Sequence, residues 1–397
     1  MRAHTENPLS EDTALLHVGR TSAGGFQTVN PPVQRGSTVL VENVPALLDH
    51  SKRCYGRQGL TTQDALKEGL CLLEHGDAAF LYPSGLAAIT GAMTALLDAG
   101  DEVLVADCVY NPTRAFVTGT LKRFGITARF FSPTATASEL KAMIGPETRL
   151  IMLESPGSLT FDMMDIPAVA AMARDAGVLT MIDNSWSAGV LFKPLDHGVD
   201  VSVQALTKYV GGHSDVFMGT AVARGAAAKR LESSYIETGW AVSPDDAYQM
   251  LRGLRTLPTR MARHGVGALI VAQWLESQPM VQRVLCPALS SDPGHGLWQR
   301  DFTGLCGLFG VVLQPSAPQT VDTLLQSLHL FGLGYSWGGF ESLVISSDAQ
   351  LGARANPPRY AGPLIRLHIG LEEPQDLIAD LDAGLRLAYP AFASKAA

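Results

Sequence analysis

The chain has 397 residues, of which 46% are hydrophobic and 17% charged, a composition typical of a globular protein larger than one ordinary domain. The net charge is −8 and Lys and Arg form no cluster, which argues against a nucleic-acid-binding surface. The N-terminus lacks the apolar core of a signal peptide, and no apolar run approaches the ~20 residues that span a bilayer, so no membrane partner is expected.

The first 59 residues show little hydrophobic periodicity and contain many Thr, Pro, Gly and Asn residues. We therefore predict an N-terminal arm over residues 1–59. A long arm in a compact protein is usually functional or packed against a partner. The arm ends in Cys54-Tyr55-Gly56-Arg57-Gln58, which, taken alone, is best interpreted as a surface turn.

A strand–turn–helix unit follows the arm. Residues 61–76 predict a helix, residues 78–82 a strand, and the turn 83–86 leads into a second helix that runs to residue 97. Free backbone N–H groups and the helix dipole favour an anion such as phosphate at the start of a helix. The signal is weak by itself, because every α/β protein contains such turns.

Strand and helix patterns continue to alternate as far as residue 223. This alternation favours a largely parallel sheet with helices on both faces. Tyr110 follows the first of these strands, where an aromatic side chain most often caps the core. The strands are predicted at 102–106, 126–131, 149–154, 178–182, 201–206 and 218–223.

Two of these strands end in polar side chains that suggest chemistry. Asp183 follows strand 178–182, and Thr207 and Lys208 follow strand 201–206. Ligands of open α/β sheets bind at the carboxyl ends of the strands. A lysine that forms a Schiff base and an acid that pairs with a pyridinium nitrogen are the protein signature of pyridoxal 5'-phosphate (PLP). The alternative is a surface ion pair between Asp183 and Lys208.

The pattern changes from about residue 246, which predicts a second, smaller α+β domain over 246–397. Arg366 lies within its last predicted strand. The planar fork of an arginine suits a carboxylate, although a paired core charge would also explain this residue. Helices are expected at 247–263, 266–275 and 377–387, and strands at 305–313 and 364–371.

Asp183-Asn184-Ser185-Trp186 and residues 202–215 (SVQALTKYVGGHSD) resemble the cofactor segment of the Cys/Met-metabolism PLP-dependent enzymes, which have fold type I. Trp186 and Gln204-Ala205 are similar to the bacterial cystathionine β-lyase branch, and the resemblance extends along nearly the whole chain. It implies an α/β fold of the PLP-dependent transferase (aspartate aminotransferase) type. A mostly parallel seven-stranded sheet is expected over residues 60–245, with the arm before it and the α+β domain after it.

The resemblance also implies catalytic roles. Lys208 is expected to hold the cofactor and to remove the substrate Cα proton once it is released. Asp183 is expected to keep the ring nitrogen protonated. Tyr110 is expected to stack on the ring.

The other implied residues bind the cofactor or the substrate. The phosphate is expected to contact Gly85, Leu86 and Thr207, together with Tyr55 and Arg57 of a neighbouring subunit. The substrate α-carboxylate is expected to bind Arg366. The remaining substrate contacts are expected from Ser336, Trp337, Tyr55 and Gln58.

The implied activity is α,β-elimination of L-cystathionine to L-homocysteine, pyruvate and ammonia, as in methionine biosynthesis. A broader β-lyase acting on cystine or S-substituted cysteines is an alternative, as is a γ-lyase or γ-synthase of the same family. A PLP-binding regulator without turnover is an alternative of another class. The resemblance further implies a homotetramer built from two active-site dimers.

Two positions depart from the family pattern. Ala205 stands where family members often have a serine that contacts the phosphate, and Gln58 stands where bacterial β-lyases carry a second arginine. The five cysteines are scattered and form no CxxC pair, so we expect reduced thiols, a cytoplasmic location and no metal site.

Overall fold

Two β-sheets organise the chain in the computed structural model, which describes residues 9–20, 28–49 and 51–393. The larger sheet has seven strands in the order β1-β7-β6-β5-β4-β2-β3, and only β7 runs antiparallel to its neighbours. Its strands are β1 Ala78–Tyr82, β2 Glu102–Ala106, β3 Thr127–Phe131, β4 Thr148–Glu154, β5 Leu179–Asp183, β6 Val201–Gln204 and β7 Gly219–Ala223.

The smaller sheet has five strands in the order β10-β11-β12-β9-β8. Its pairings are antiparallel apart from the short β10–β11 pair. Its strands are β8 Val281–Leu285, β9 Leu308–Leu313, β10 Gly332–Leu333, β11 Leu343–Ser346 and β12 Leu364–His368.

Helices surround both sheets. Gly56–Gln58 and Pro194–His197 are single 3₁₀ turns, and a π-helical segment, Val117–Leu121, follows α5. The α-helices are α1 Glu11–His17, α2 Val44–Leu48, α3 Thr61–Glu74, α4 Gly85–Leu96, α5 Asn111–Phe116, α6 Ala137–Met143, α7 Ile166–Asp175, α8 Gly225–Thr238, α9 Pro244–Arg255, α10 Leu257–Glu276, α11 His295–Asp301, α12 Pro318–Ser327, α13 Asp348–Leu351, α14 Pro374–Ala388 and α15 Pro390–Ala393.

The central strands of the larger sheet are buried on both faces. Residues 103–106 of β2 and 150–153 of β4 are fully buried apolar runs, as expected for parallel strands that helices cover on both sides. Parallel strands also place their carboxyl ends along a single edge. Glu154 pairs with Asp183 and Asp183 with Val203 in the register of β4, β5 and β6. Side chains that follow these strands therefore meet at the same edge.

The predicted fold class is confirmed, but one helix boundary was predicted wrongly and several helices and strands were not predicted. The long helices divide at Thr256, not between residues 263 and 266, because Pro258 fits the first turn of α10. Gly265 continues that helix: a Cβ there would lie 2.3 Å from the Leu305 carbonyl oxygen, so the glycine allows a close approach. Helices α1 and α2 lie within the arm that was predicted to have little periodic structure. The other elements that were not predicted are α8, α11, α12, α13, α15, β8, β10 and β11.

The predicted boundaries of the arm and of the two domains, near residues 59 and 245, stay a prediction. In the part of the chain that the structure describes, no helix is both long and apolar enough to cross a bilayer.

Candidate active site

A cavity of about 640 Å³ opens at the carboxyl ends of the larger sheet. Strand ends of that sheet form its floor, and the loop before β11 and strand β12 contribute to its wall. Nine of the predicted site residues line it together: Gly85, Leu86, Tyr110, Asp183, Thr207, Lys208, Ser336, Trp337 and Arg366.

Lys208 lies in the turn after β6, and its amine points into this cavity. Nζ lies 2.9 Å from Ser336 Oγ and 5.0 Å from the centre of the Trp337 ring. Burial, helped by the positive charge of Arg366 and opposed by Asp183, lowers the pKa of Lys208 to about 8. About a tenth of this amine is therefore neutral at pH 7, far more than for an ordinary lysine, and the neutral form is the one that a nucleophile or base requires.

The loop before β11 rests directly on the lysine backbone. Gly338 has a φ of +88°, and a Cβ at this position would lie 2.8 Å from the Lys208 carbonyl carbon. Two side chains of β12 hold this loop: Arg366 donates to the Tyr335 and Ser336 carbonyl oxygens at 2.7 and 3.1 Å, and the His368 imidazole Nε2 lies 3.1 Å from Gly338 N. His368 was not predicted as a site residue. Its position two residues after Arg366, on the same face of the same strand, could have suggested it.

Asp183 is tied to the lysine segment through Ser185. Asp183 Oδ1 accepts a hydrogen bond from Ser185 N at 2.9 Å, and Ser185 Oγ accepts one from Ala205 N at 2.7 Å. Burial raises the pKa of Asp183, while hydrogen bonds from Ser185 and the charge of Lys208 act in the opposite direction. A cation placed beside Asp183 would stabilise its ionised form.

Helix α4 presents its N-terminus to the cavity. Ser84 caps the helix by accepting a hydrogen bond from Ala87 N at 3.1 Å, which leaves the first amides, of Gly85 and Leu86, without partners inside the helix. A Cβ on Gly85 would lie 2.5 Å from Ala205 Cβ, so the helix start packs tightly on the turn that carries the lysine. The arrangement is suited to a phosphate group.

Thr207 lines the cavity, but its hydroxyl is already engaged. It donates to the Met218 carbonyl oxygen at 3.1 Å and accepts from Met218 N at 3.0 Å. An ionised phosphate accepts hydrogen bonds and offers few donors. Thr207 must therefore release the Met218 carbonyl before it can bind a phosphate, and its predicted role stays a prediction.

Arg366 retains an unused donor. Its Nε is buried and has no hydrogen-bond partner among the described residues. Burial lowers the pKa of Arg366 to about 10, so the guanidinium remains charged at neutral pH. A buried cation with a free donor beside the cavity is a carboxylate site by its chemistry.

Tyr110 precedes helix α5 and has a side chain that is 45% exposed. Partial burial, together with the nearby charges of Asp183 and Glu154, raises the pKa of Tyr110. Its phenol is therefore neutral at physiological pH, and the residue lines the cavity.

The residues of the cavity fit PLP. The α4 N-terminus suits its phosphate, Lys208 its aldehyde and Asp183 its ring nitrogen, and the unpartnered Arg366 Nε is left for a substrate. Within the described ranges, no group of three or more His, Cys, Asp and Glu side chains is arranged to hold a metal ion.

Tyr55, Arg57 and Gln58 are not among the residues that line the cavity of their own chain. Tyr55 is 49% exposed, and Arg57 donates to the Ile236 carbonyl oxygen at 3.0 Å. The preceding stretch exposes several large apolar side chains: Leu40, Val44, Leu47 and Leu48. The structure of one chain thus brings together nine of the predicted site residues and leaves these three outside the cavity.

The chain matches known proteins over most of its length. The sequence profile of the Cys/Met metabolism PLP-dependent enzymes matches residues 12–386. A putative cystathionine beta-lyase of Rhizobium johnstonii is 44% identical, and the alignment covers 95% of this chain and 96% of the relative. Cystathionine beta-lyase MetC of Escherichia coli is 41% identical, with 94% and 97% covered.

Two further matches extend the comparison. The crystal structure of metB from Corynebacterium glutamicum superimposes with a TM-score of 0.89 at 29% identity, covering 95% of this chain and 98% of that one. A protein of Wolbachia pipientis named L-alanine/L-glutamate racemase is 37% identical, with 95% and 97% covered.

Proposed function

The chain belongs to the Cys/Met metabolism PLP-dependent enzymes, and on that premise we propose that it is a carbon–sulfur β-lyase that cleaves L-cystathionine to L-homocysteine, pyruvate and ammonia. The observation that carries the proposal is the convergence of Lys208, Asp183 and Arg366 on a single cavity. Relatives named cystathionine beta-lyase that align over nearly their whole length support the choice of substrate.

The side chains of the cavity divide the work of such an elimination. PLP, when bound, supplies an electron sink for the negative charge that develops at the substrate Cα. Arg366 binds the α-carboxylate through its free Nε donor and so fixes the direction of the Cα–H bond. Lys208, whose lowered pKa of about 8 leaves about half of its amine neutral at pH 8, takes the Cα proton as general base. The Cβ–S bond then breaks, the thiolate leaves as homocysteine after protonation, and water converts the remaining fragment to pyruvate and ammonia.

The products distinguish this proposal from the other reactions of the family. β-Elimination of cystathionine yields homocysteine and pyruvate, whereas γ-elimination yields cysteine and 2-oxobutanoate. Purified holoenzyme incubated with L-cystathionine should therefore release pyruvate and homocysteine in equal amounts. Cystine and S-methylcysteine, assayed in parallel, define the substrate range. Formation of 2-oxobutanoate and cysteine would reject the β-lyase assignment in favour of a γ-lyase.

Racemisation of an amino acid is a second candidate activity, because a relative that is 37% identical over most of this chain carries the name of a racemase. Racemisation requires the same removal of the Cα proton but no leaving group on Cβ. The enzyme would be incubated with L-alanine or L-glutamate, and the D-isomer measured by chiral chromatography. Accumulation of the D-isomer without pyruvate release from cystathionine would favour this second candidate.

The active site is proposed to be completed by a second subunit. Tyr55 and Arg57 lie outside their own cavity, and exposed apolar side chains of residues 40–48 precede them. We assign this surface to a subunit interface, across which both residues reach the phosphate of the neighbouring site and Gln58 reaches its substrate. A homotetramer of two such dimers, a cytoplasmic location and a role in methionine biosynthesis complete the proposal.

A further inference from the structure

Glu154 is a second carboxyl group in the cavity, and the function proposed above gives it no role. It ends β4 as Asp183 ends β5, and the two residues are direct partners in the parallel register of these strands. Only 8% of Glu154 is exposed. A buried carboxyl group needs hydrogen-bond partners and a reason to be retained beside another acid.

The hydrogen bonds of Glu154 connect it to the segment that carries Tyr110. Oε2 accepts from Tyr110 N at 2.7 Å, and Oε1 accepts from Ser158 Oγ at 2.5 Å. The Ser158 carbonyl oxygen in turn accepts from Arg354 at 2.5 Å. Glu154 therefore anchors the backbone of a residue that lines the cavity.

The charge of Glu154 is set by what surrounds it. Asp183 faces it from β5, Cys108 and Tyr110 from the loop after β2, and Arg354 from the loop after α13. Burial and the neighbouring Asp183 raise the pKa of Glu154 well above its usual range. Two adjacent buried carboxyl groups cannot both ionise cheaply, so the pair holds a proton at neutral pH.

The position of that proton follows from the cofactor. A protonated ring nitrogen paired with Asp183 favours the ionised form of Asp183. The negative charge of Asp183 then opposes ionisation of Glu154 further. The proton of the pair consequently belongs on Glu154, on Oε1, which would then donate to Ser158 Oγ instead of accepting from it, while Oε2 still accepts from Tyr110 N.

We propose that Glu154 is a positioning residue that acts as a neutral carboxylic acid: it holds Tyr110 through the Tyr110 amide and leaves Asp183 as the single carboxylate available to the cofactor nitrogen. The inference rests on the family's cofactor and on the placement of Asp183 proposed above, and it does not depend on the identity of the substrate. It predicts that a neutral side chain of the same shape can replace Glu154, whereas a truncated one cannot.

The first test compares Glu154→Gln with Glu154→Ala in the holoenzyme. Glutamine retains an oxygen that accepts from Tyr110 N and is uncharged, so we expect kcat/KM to fall only about threefold. Alanine leaves the Tyr110 amide without its partner, and a fall of about thirtyfold is expected from a lost buried hydrogen bond of ~2 kcal/mol. Visible circular dichroism of the bound cofactor should weaken in E154A and remain close to wild type in E154Q. Equal losses of signal and of kcat/KM in the two variants would overturn the proposal, because they would show that the negative charge is needed.

The second test measures the proton itself in the holoenzyme, in which Asp183 is expected to be paired with the ring nitrogen. The infrared carbonyl stretch of a protonated carboxylic acid should be present at neutral pH and should lose part of its intensity in E154Q protein. Glu74 is a matched control, because it is buried, accepts a hydrogen bond from Asn184 at 3.1 Å and has a pKa raised by burial, yet does not line the cavity. E74Q should leave unchanged the component of the band that E154Q removes.

An E154Q spectrum identical to that of wild type would overturn the inference, because Glu154 would then be ionised. A wild-type enzyme that releases no pyruvate but shows the E154-dependent infrared signal would reject the proposed function and retain this inference. The two failures are therefore distinguishable.

Discussion

Lys208 and Asp183 line a cavity whose segments are joined to one another by hydrogen bonds, whereas Tyr55 and Arg57, at the end of the arm, lie at the surface. Ser185 connects the segments of Asp183 and Lys208, and Ser336 contacts the lysine amine. By contrast, the hydrogen bond of Arg57 is made to a backbone oxygen of α8, Ile236 O, outside the cavity.

The contrast separates groups that the chain positions by folding from groups that depend on assembly. Groups that move protons must be held within fractions of an ångström, and the strand ends of one sheet provide that precision. Groups that only place a positive charge near a phosphate tolerate less precise positioning. We therefore expect single-residue changes in the pocket to have larger effects than changes in the arm.

The largest effect is expected from Lys208→Ala, which removes the covalent attachment point and the base together. Loss of a general base alone costs about 10²–10⁴-fold, so pyruvate release from cystathionine should fall by at least a thousandfold. The melting temperature of the apoprotein should remain within a few degrees of wild type. Pyruvate release near the wild-type rate would mean that another amine performs both roles.

A smaller loss is expected from Asp183→Asn. The neutral amide cannot compensate a protonated ring nitrogen, and a charge-assisted hydrogen bond is worth ~1.5–3 kcal/mol, so kcat should fall about tenfold to a hundredfold. The variant should still bind PLP, as measured by its absorbance after gel filtration. A normal kcat with cofactor bound would place a residue other than Asp183 at the ring nitrogen.

The arm is tested by mixing subunits. Arg57→Ala and Lys208→Ala chains should each have low activity alone. If sites are shared across a two-fold interface, a randomly mixed population regains both intact residues in about a quarter of its sites. Activity should therefore recover to about a quarter of the wild-type value, with the mixed oligomers verified by affinity tags. Proven mixing without any recovery would show that each site is built from one chain.

The smallest effect is expected at Gln58. Cystathionine has a distal carboxylate that S-methylcysteine lacks. A hydrogen bond from an arginine to a carboxylate is worth ~1.5–3 kcal/mol, whereas one from a glutamine is worth about 1 kcal/mol. This difference of ~0.5–2 kcal/mol means that Gln58→Arg should lower KM for cystathionine by about twofold to thirtyfold and leave KM for S-methylcysteine nearly unchanged. Equal changes for both substrates would exclude a role in binding the distal carboxylate. Another basic residue of the arm, Arg35, is an alternative ligand for the distal carboxylate. It forms a surface ion pair with Asp245, so Arg35→Ala is the matched comparison.

The sequence was most informative where residues act within one strand. The short segments 178–182 and 201–206 are rich in aliphatic side chains and stop abruptly at Asp183 and at Thr207-Lys208, so their strands and the shared edge could be predicted. The role of Glu154 could not, because its raised pKa depends on Asp183 of the next strand and therefore on a register that only the structure supplies.

Elements without a regular hydrophobic pattern could not be predicted from the sequence either. Strand β8 has two consecutive exposed residues, Gln282 and Arg283, and so lacks the alternation that marks a half-buried strand. Strand β10 has only two residues. The break before α10 was misplaced: residues 264 and 265, predicted to lie between two helices, belong to α10, in which Gly265 packs closely against Leu305.

The contact of Gly338 with the Lys208 backbone also sets a rule for redesigning this protein. Any graft that replaces the loop around Ser336 and Trp337 to accept a new substrate must keep glycine at position 338, since its backbone conformation and the space beside it both exclude a Cβ. The same loop thus lines the cavity and supports the backbone of Lys208. Active variants with a changed substrate preference should therefore carry substitutions at 335–337 but not at 338. A library that randomises all four positions should return glycine at 338 in nearly every active clone.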